Sequence, residues 1–91
     1  MKRRVRIVVH GRVQGVCFRA TVRDEAELEG ISGWVRNLPG GSVEAVFEGD
    51  SPAIDRIIDF CRNSPSYSRV DYVDLNEEEY TGEFDSFIIS Y

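Results

Sequence analysis

Residues 4–10, RVRIVVH, open with polar and apolar positions in alternation and are rich in β-branched side chains, which predicts a first strand. The alternation breaks over residues 11–19, GRVQGVCFR, where two glycines predict a loop. Residues 20–30, ATVRDEAELEG, take up a helical period. Val22 and Ala26, four apart, share one side, while Arg23, Asp24, Glu25 and Glu27 face water, and Gly30 suits the position just past a helix end. Residues 33–38, GWVRNL, form a short strand, and Pro39-Gly40-Gly41 is a turn signal. In SVEAVFEG, Val43, Ala45 and Phe47 point one way and Glu44, Val46 and Glu48 the other, so residues 33–48 form a hairpin. Ser51-Pro52 reads as an N-cap followed by proline at the first helical position. Ile54, Ile57, Ile58 and Cys61 then make an apolar helical stripe, ending near Asn63 before Pro65. Val70 to Leu75 suggest another strand, Glu77 to Gly82 a glutamate-rich loop, and residues 84–91, FDSFIISY, a last strand.

The order is strand, helix, strand, strand, helix, strand, with one further strand at the end. Two strand–helix–strand halves joined by a hairpin give a ferredoxin-like βαββαβ sandwich of the α+β class. The expectation is an antiparallel sheet with two helices on one face and an extra C-terminal strand. Length and composition (42% hydrophobic, 30% charged) fit one globular domain over residues 1–91. No apolar run approaches the ~18–20 residues that span a bilayer. The run behind the basic start, Val5 to Val9 with Arg6 inside it, is too short for a signal peptide. The expected compartment is therefore the cytoplasm, with no membrane partner. Cys17 and Cys61 are too few for a disulfide framework and are expected as free thiols.

Charge changes the picture, because it is unevenly spread. Residues 1–45 carry eight basic and five acidic side chains, net +3; residues 46–91 carry three and eleven, net −8. A chain that is acidic overall does not bind nucleic acid by bulk charge, but a small anion can be drawn to its basic end. The plainer reading of the basic cluster is a solvated edge strand.

The segment Gly11 to Arg19 carries the candidate chemistry. It joins a strand end to a helix start, and Gly11 and Gly15 allow backbone angles that other residues avoid. Such a turn can aim several N–H groups at one point, and the following helix adds its unpaired N–H groups and the positive end of its dipole. Arg19 sits at that helix start with a planar fork that matches phosphate. The loop is neither G-x-x-x-x-G-K-[ST] nor G-x-G-x-x-G.

Val9-His10-Gly11-Arg12-Val13-Gln14-Gly15-Val16-Cys17-Phe18-Arg19 resembles the first signature of the acylphosphatase family, G-x-V-Q-G-V-x-F-R. Gly33-Trp34-Val35-Arg36-Asn37 resembles the second, G-W-V-x-N, and Phe87-Ile88-Ile89-Ser90-Tyr91 resembles the closing strand. The turn Pro39-Gly40-Gly41 departs from the family, in which many members carry aspartate before the second glycine. The resemblance spans essentially the whole chain. It implies hydrolysis of acyl phosphates, mixed carboxylic–phosphoric anhydrides, to carboxylate and inorganic phosphate without a metal or other cofactor. It further implies that Arg19 binds phosphate, that Asn37 orients water, and that the backbone N–H groups of Gln14, Gly15, Val16, Cys17 and Phe18 cradle the phosphoryl group. The partners it implies are a small acyl phosphate and inorganic phosphate as product and inhibitor, for a monomer that binds no nucleic acid.

Plainer readings stand beside these. Asparagine before a Pro-Gly turn is common for backbone reasons. Cys17 lies in the cradle, but cysteine-dependent phosphatases place their arginine further from the nucleophile, so a filler thiol is expected. The lone His10 reads as structural, Trp34 and Phe18 as core, and Glu77-Glu78-Glu79 as a solvated charge run. Arg12, Arg23 and Arg36 read as surface. Two other functions share the topology. An RNA-binding module needs exposed aromatics on its middle strands, and VRIVVH has none. The other is a relative of the acylphosphatase-like domain in carbamoyl-transfer maturation proteins, which are long multidomain chains.

Overall fold

In β1 (Lys2–Arg12), Val5, Ile7 and Val9 are fully buried while Arg4, Arg6 and Val8 between them are half-buried, the two-residue period of a strand with two different faces. The computed structural model describes all of residues 1–91. After β1 come α1 (Phe18–Leu28), β2 (Ser32–Asn37), β3 (Val43–Asp50), α2 (Ser51–Arg62), β4 (Arg69–Glu78) and β5 (Phe87–Ile89). This is the ferredoxin-like α+β arrangement. The five strands lie in the order β4-β1-β3-β2-β5. Pairings β4–β1, β1–β3 and β3–β2 are antiparallel, but β5 joins β2 in parallel, so the sheet is mixed.

Both helices cover one face: α1 packs on β2 and β5, α2 on β1 and β3. Phe18, Val22 and Ala26 of α1 and Ile54, Ile57, Ile58 and Cys61 of α2 meet Val5, Ile7, Val9, Val35, Val43, Ala45 and Phe47 of the sheet in one core. Helix α1 ends in a Schellman motif around Gly30 (φ 69°): Ile31 N–H donates to Ala26 carbonyl and Gly30 N–H to that of Glu27. The cap of α2 falls one residue before Ser51, at Asp50, and uses no side-chain bond. The Ser51 N–H is already taken by the Met1 carbonyl at 2.8 Å, which extends the β1 edge of the ladder.

Four expectations need correcting. The basic N-terminal strand is no edge: β1 lies between β4 and β3, and its arginines are paired on the helix-free face. Arg4 reaches Glu48 (3.2 Å), Glu78 (2.8 Å) and Glu83 (2.6 Å), while Arg6 reaches Glu44 (3.0 Å) and Glu78 (2.8 Å). The surplus charge of the first half is thus largely answered by glutamates, most of them from the second half. For the same reason Glu77 and Glu78 belong to β4 rather than to a solvated loop, since they stand opposite Val5 and Arg4. Trp34 lies outside the core. It is half-buried on the helix-free face, with the guanidinium groups of Arg6 (5.6 Å) and Arg36 (5.0 Å) over its ring. The closing strand is also shorter than residues 84–91, because only Phe87–Ile89 pair with β2.

Candidate active site

The site forms where β1 gives way to α1. Opposite the end of β1 a bulge between His10 and Gly11 admits one extra residue of β4. Gly11 has φ 135°, and a Cβ there would lie 2.1 Å from the Arg69 carbonyl oxygen, so only glycine fits this approach. The chain then turns through Gly15 (φ 73°) and Cys17 (φ 62°, ψ 20°), both left-handed. Val13 and Phe18 are buried and pin the two ends of the turn to the core. Of the eleven backbone hydrogen bonds made outside the regular elements, none has its donor in residues 14–18. A run of free amides with left-handed residues among them is the geometry of an anion nest.

Helix α1 begins directly after the turn, and its first turn carries no acidic residue to offset the positive end of its dipole. Arg19 is its second residue. The Arg19 guanidinium lies 5.2 Å above the Tyr91 ring and has no carboxylate within ion-pair range, in contrast to the paired Arg4, Arg6 and Arg36. Asn37, the last residue of β2, is exposed and stands opposite Val43 at the mouth of the hairpin. The Gln14 side chain crosses from the loop to that hairpin, donating from Nε2 to the Leu38 carbonyl (2.9 Å) and the Ser42 carbonyl (2.8 Å).

These parts surround a cavity of about 450 Å³. Gln14, Gly15, Cys17, Phe18, Arg19 and Asn37 all line it, so the structure brings together six of the seven residues singled out in the sequence. Val16 does not line it; its side chain packs against the core. Ile89 and Tyr91 form a wall that periodicity did not flag as part of a site. Its signal is the register of β5. Ile89 pairs with Val35, so two residues further along each chain sets Tyr91 level with Asn37. His10 is elsewhere, stacked on Tyr72 (4.3 Å between centroids) with Nε2 3.0 Å from Asp74, as a structural histidine would be. Both cysteines are free thiols, and burial pushes the Cys61 thiol up to about 12. No group of three or more His, Cys, Asp or Glu side chains is placed so that it could hold a metal ion.

A sequence model of the acylphosphatase family matches residues 5–89. The chain belongs to the acylphosphatase family. The acylphosphatase of Syntrophus aciditrophicus (strain SB) is 55% identical over the whole of this chain and 95% of its own length. The crystal structure of acylphosphatase from Bacillus subtilis superposes with a TM-score of 0.93 at 35% identity, each chain covered in full. The fold also resembles part of full-length HypF in its phosphate- and nucleotide-bound form, with a TM-score of 0.87 at 26% identity. That likeness takes in all of this chain but 12% of HypF. The acylphosphatases of Syntrophus aciditrophicus and Bacillus subtilis match this chain over nearly their whole lengths, HypF over a small part of its own.

Proposed function

We propose that this chain hydrolyses acyl phosphates to carboxylate and inorganic phosphate, by in-line attack of water and without a metal ion. The observation that carries the reading is that an unpaired Arg19, Asn37 and four residues of the 14–18 loop, whose backbone amides are free, line one cavity. Phosphoryl transfer needs mostly positioning and charge stabilisation. Arg19 and the loop amides supply positive charge around the three non-bridging oxygens. Asn37 holds the attacking water through its carbonyl and NH₂, since a carboxamide does not titrate and cannot be a base. The new bond runs from the water oxygen to phosphorus, and the bond from phosphorus to the bridging oxygen breaks. The carboxylate leaves with that electron pair and needs no strong protein acid. The water's proton passes to a phosphoryl oxygen of the substrate, which acts as the base in this scheme.

The helix-free face supports the enzymatic reading over an RNA platform. Trp34, the aromatic residue of β2 on that face, is already in contact with the guanidinium groups of Arg6 and Arg36, and β1 and β3 offer no exposed ring there. The test is phosphate release from a synthetic aryl acyl phosphate with and without EDTA. Turnover should survive the chelator, and inorganic phosphate should inhibit competitively. Loss of turnover in EDTA with recovery in Mg²⁺, or non-competitive inhibition, would remove the cradle as the source of the charge.

A further inference from the structure

We propose that the Gln14 side chain is a positioning residue that fixes Asn37 relative to the phosphate cradle, an inference that rests on the acyl-phosphate reading above. The cradle and Asn37 belong to separate parts of the chain. One lies between β1 and α1, the other at the end of β2. Asn37 sits at the last ladder position of its hairpin, and it leads into a loose turn with glycines at φ 95° and 105°. Within that turn the bonds are Leu38 N–H to Ser42 carbonyl (2.9 Å) and a longer Gly41 N–H to Leu38 carbonyl (3.4 Å). Neither bond refers the turn to the cradle.

The Gln14 amide does. Nε2 donates to the carbonyls of Leu38 and Ser42, one on each side of the turn's mouth. Both partners are acceptors, so only the NH₂ end of the amide can face them, and both of its protons are used. The side chain is partly buried, where such bonds are less exposed to competition from water. The Leu38 carbonyl belongs to the residue directly after Asn37. A displacement of the turn is therefore a displacement of Asn37 from the phosphorus that its water must reach. Gln14 thus has two separate jobs. Its backbone N–H belongs to the cradle, and its side chain sets the distance from the cradle to the water-holding residue.

The test is a double-mutant cycle between Gln14→Met and Asn37→Ala. Methionine keeps the length and bulk of glutamine and removes both donors. In the wild-type background, Gln14→Met should lower kcat roughly tenfold to a hundredfold, the scale of a misplaced reactant. The inhibition constant of inorganic phosphate should move by less than about twofold, because Arg19 and the amides remain. In the Asn37→Ala background the same change should cost little, since no positioned water is left to lose. An equal loss in both backgrounds, or a loss of phosphate affinity matching the loss of kcat, would overturn the proposal. A second measurement needs no variant. Gln14 is the only glutamine in the chain, so its side-chain NH₂ signals are distinct from those of the asparagines once assigned. These protons should exchange with water more slowly than a free carboxamide, and exchange at the free rate would overturn the proposal equally. A wild-type protein that releases no phosphate from any acyl phosphate would instead remove the underlying reading, a result distinct from either.

Discussion

Cys17 holds a left-handed backbone without being glycine, a conformation that costs of order 1–3 kcal/mol and persists where the surroundings enforce it. Here the enforcing contacts are Phe18 in the core and the Cys17 carbonyl, which accepts both the N–H (3.1 Å) and the hydroxyl (2.9 Å) of Thr21. The thiol itself is exposed, whereas that of Cys61 is buried and pushed up to about 12. A thiol reagent at neutral pH should therefore titrate one group in the native protein and two in denaturant; two in the native state would contradict the burial of Cys61. Arg19 and Asn37 should also fail differently. Asn37→Ala should lower kcat on the order of 10²-fold while phosphate still inhibits at near-normal concentration. Arg19→Ala should lose phosphate affinity together with rate. Asn37→Asp should be no better than alanine, because it sets a negative charge beside a dianion. An aspartate variant with restored turnover and a new acidic limb in its pH profile would make position 37 a general base. At this scale the sequence was informative about identity. Arg19, Asn37 and the loop were legible from their motifs, but the Gln14 side-chain bridge was not, because nothing in residues 11–19 says what lies across from them.

The proposed phosphate site rests on the first turn of α1, which is free of acids. An added carboxylate there should act in two opposite directions. Ala20→Asp places a negative charge near the positive end of the dipole, which ordinarily stabilises a helix by about 0.3–1 kcal/mol. Ala20 also lines the cavity, so the same charge repels the ligand. The expected result is a melting temperature equal to or slightly above wild type, with a clearly higher inhibition constant for phosphate. Unchanged phosphate binding would place the anion away from this helix end. The elements themselves were largely legible. The apolar stripe of α2 appears where the period put it, and Val43, Ala45 and Phe47 of β3 share the core face, although Glu44, Val46 and Glu48 outside that core are buried as well. The ends were less so: α1 begins at Phe18 rather than at residue 20, because burial of Phe18 draws the first turn back into the loop. β4 runs on to Glu78 because arginines of β1 wait opposite its glutamates, a partnership that no local window contains.

Across the whole molecule, the helix-free face is held by a network of arginines and glutamates, with Glu48 nearly fully buried in it. Burial alone would raise the Glu48 carboxyl. The Thr81 N–H (3.0 Å), Arg4 (3.2 Å) and the Thr81 hydroxyl (3.1 Å) outweigh burial and hold it below the ordinary carboxylate value. Glu78 is likewise held down, by Arg6 first and Arg4 second. A depressed carboxyl contributes stability that is complete above its unfolded value, about 4.3, and is lost as pH falls through its lower folded value. Thermal stability should therefore drop steeply below about pH 4. Glu48→Gln should be less stable than wild type at neutral pH and should lose less on acidification, whereas parallel pH profiles for the two proteins would contradict the role given to Glu48. Glu48 also anchors the Thr81–Gly82 segment that leads into β5, and so indirectly the Ile89–Tyr91 wall of the cavity. The fold class was legible from element order, but the parallel seat of β5 was not, since pairing direction is a property of the assembled sheet. The central claim is that Arg19 and the loop amides supply the charge stabilisation for acyl-phosphate hydrolysis. Its most direct measurement is phosphate release from a synthetic aryl acyl phosphate by folded wild-type, Arg19→Ala and Arg19→Lys proteins. The expected result is turnover by wild type, a loss of at least ~10²–10³-fold in Arg19→Ala, and no rescue by lysine, which lacks the planar fork. A folded Arg19→Ala protein that turns over near the wild-type rate would contradict it.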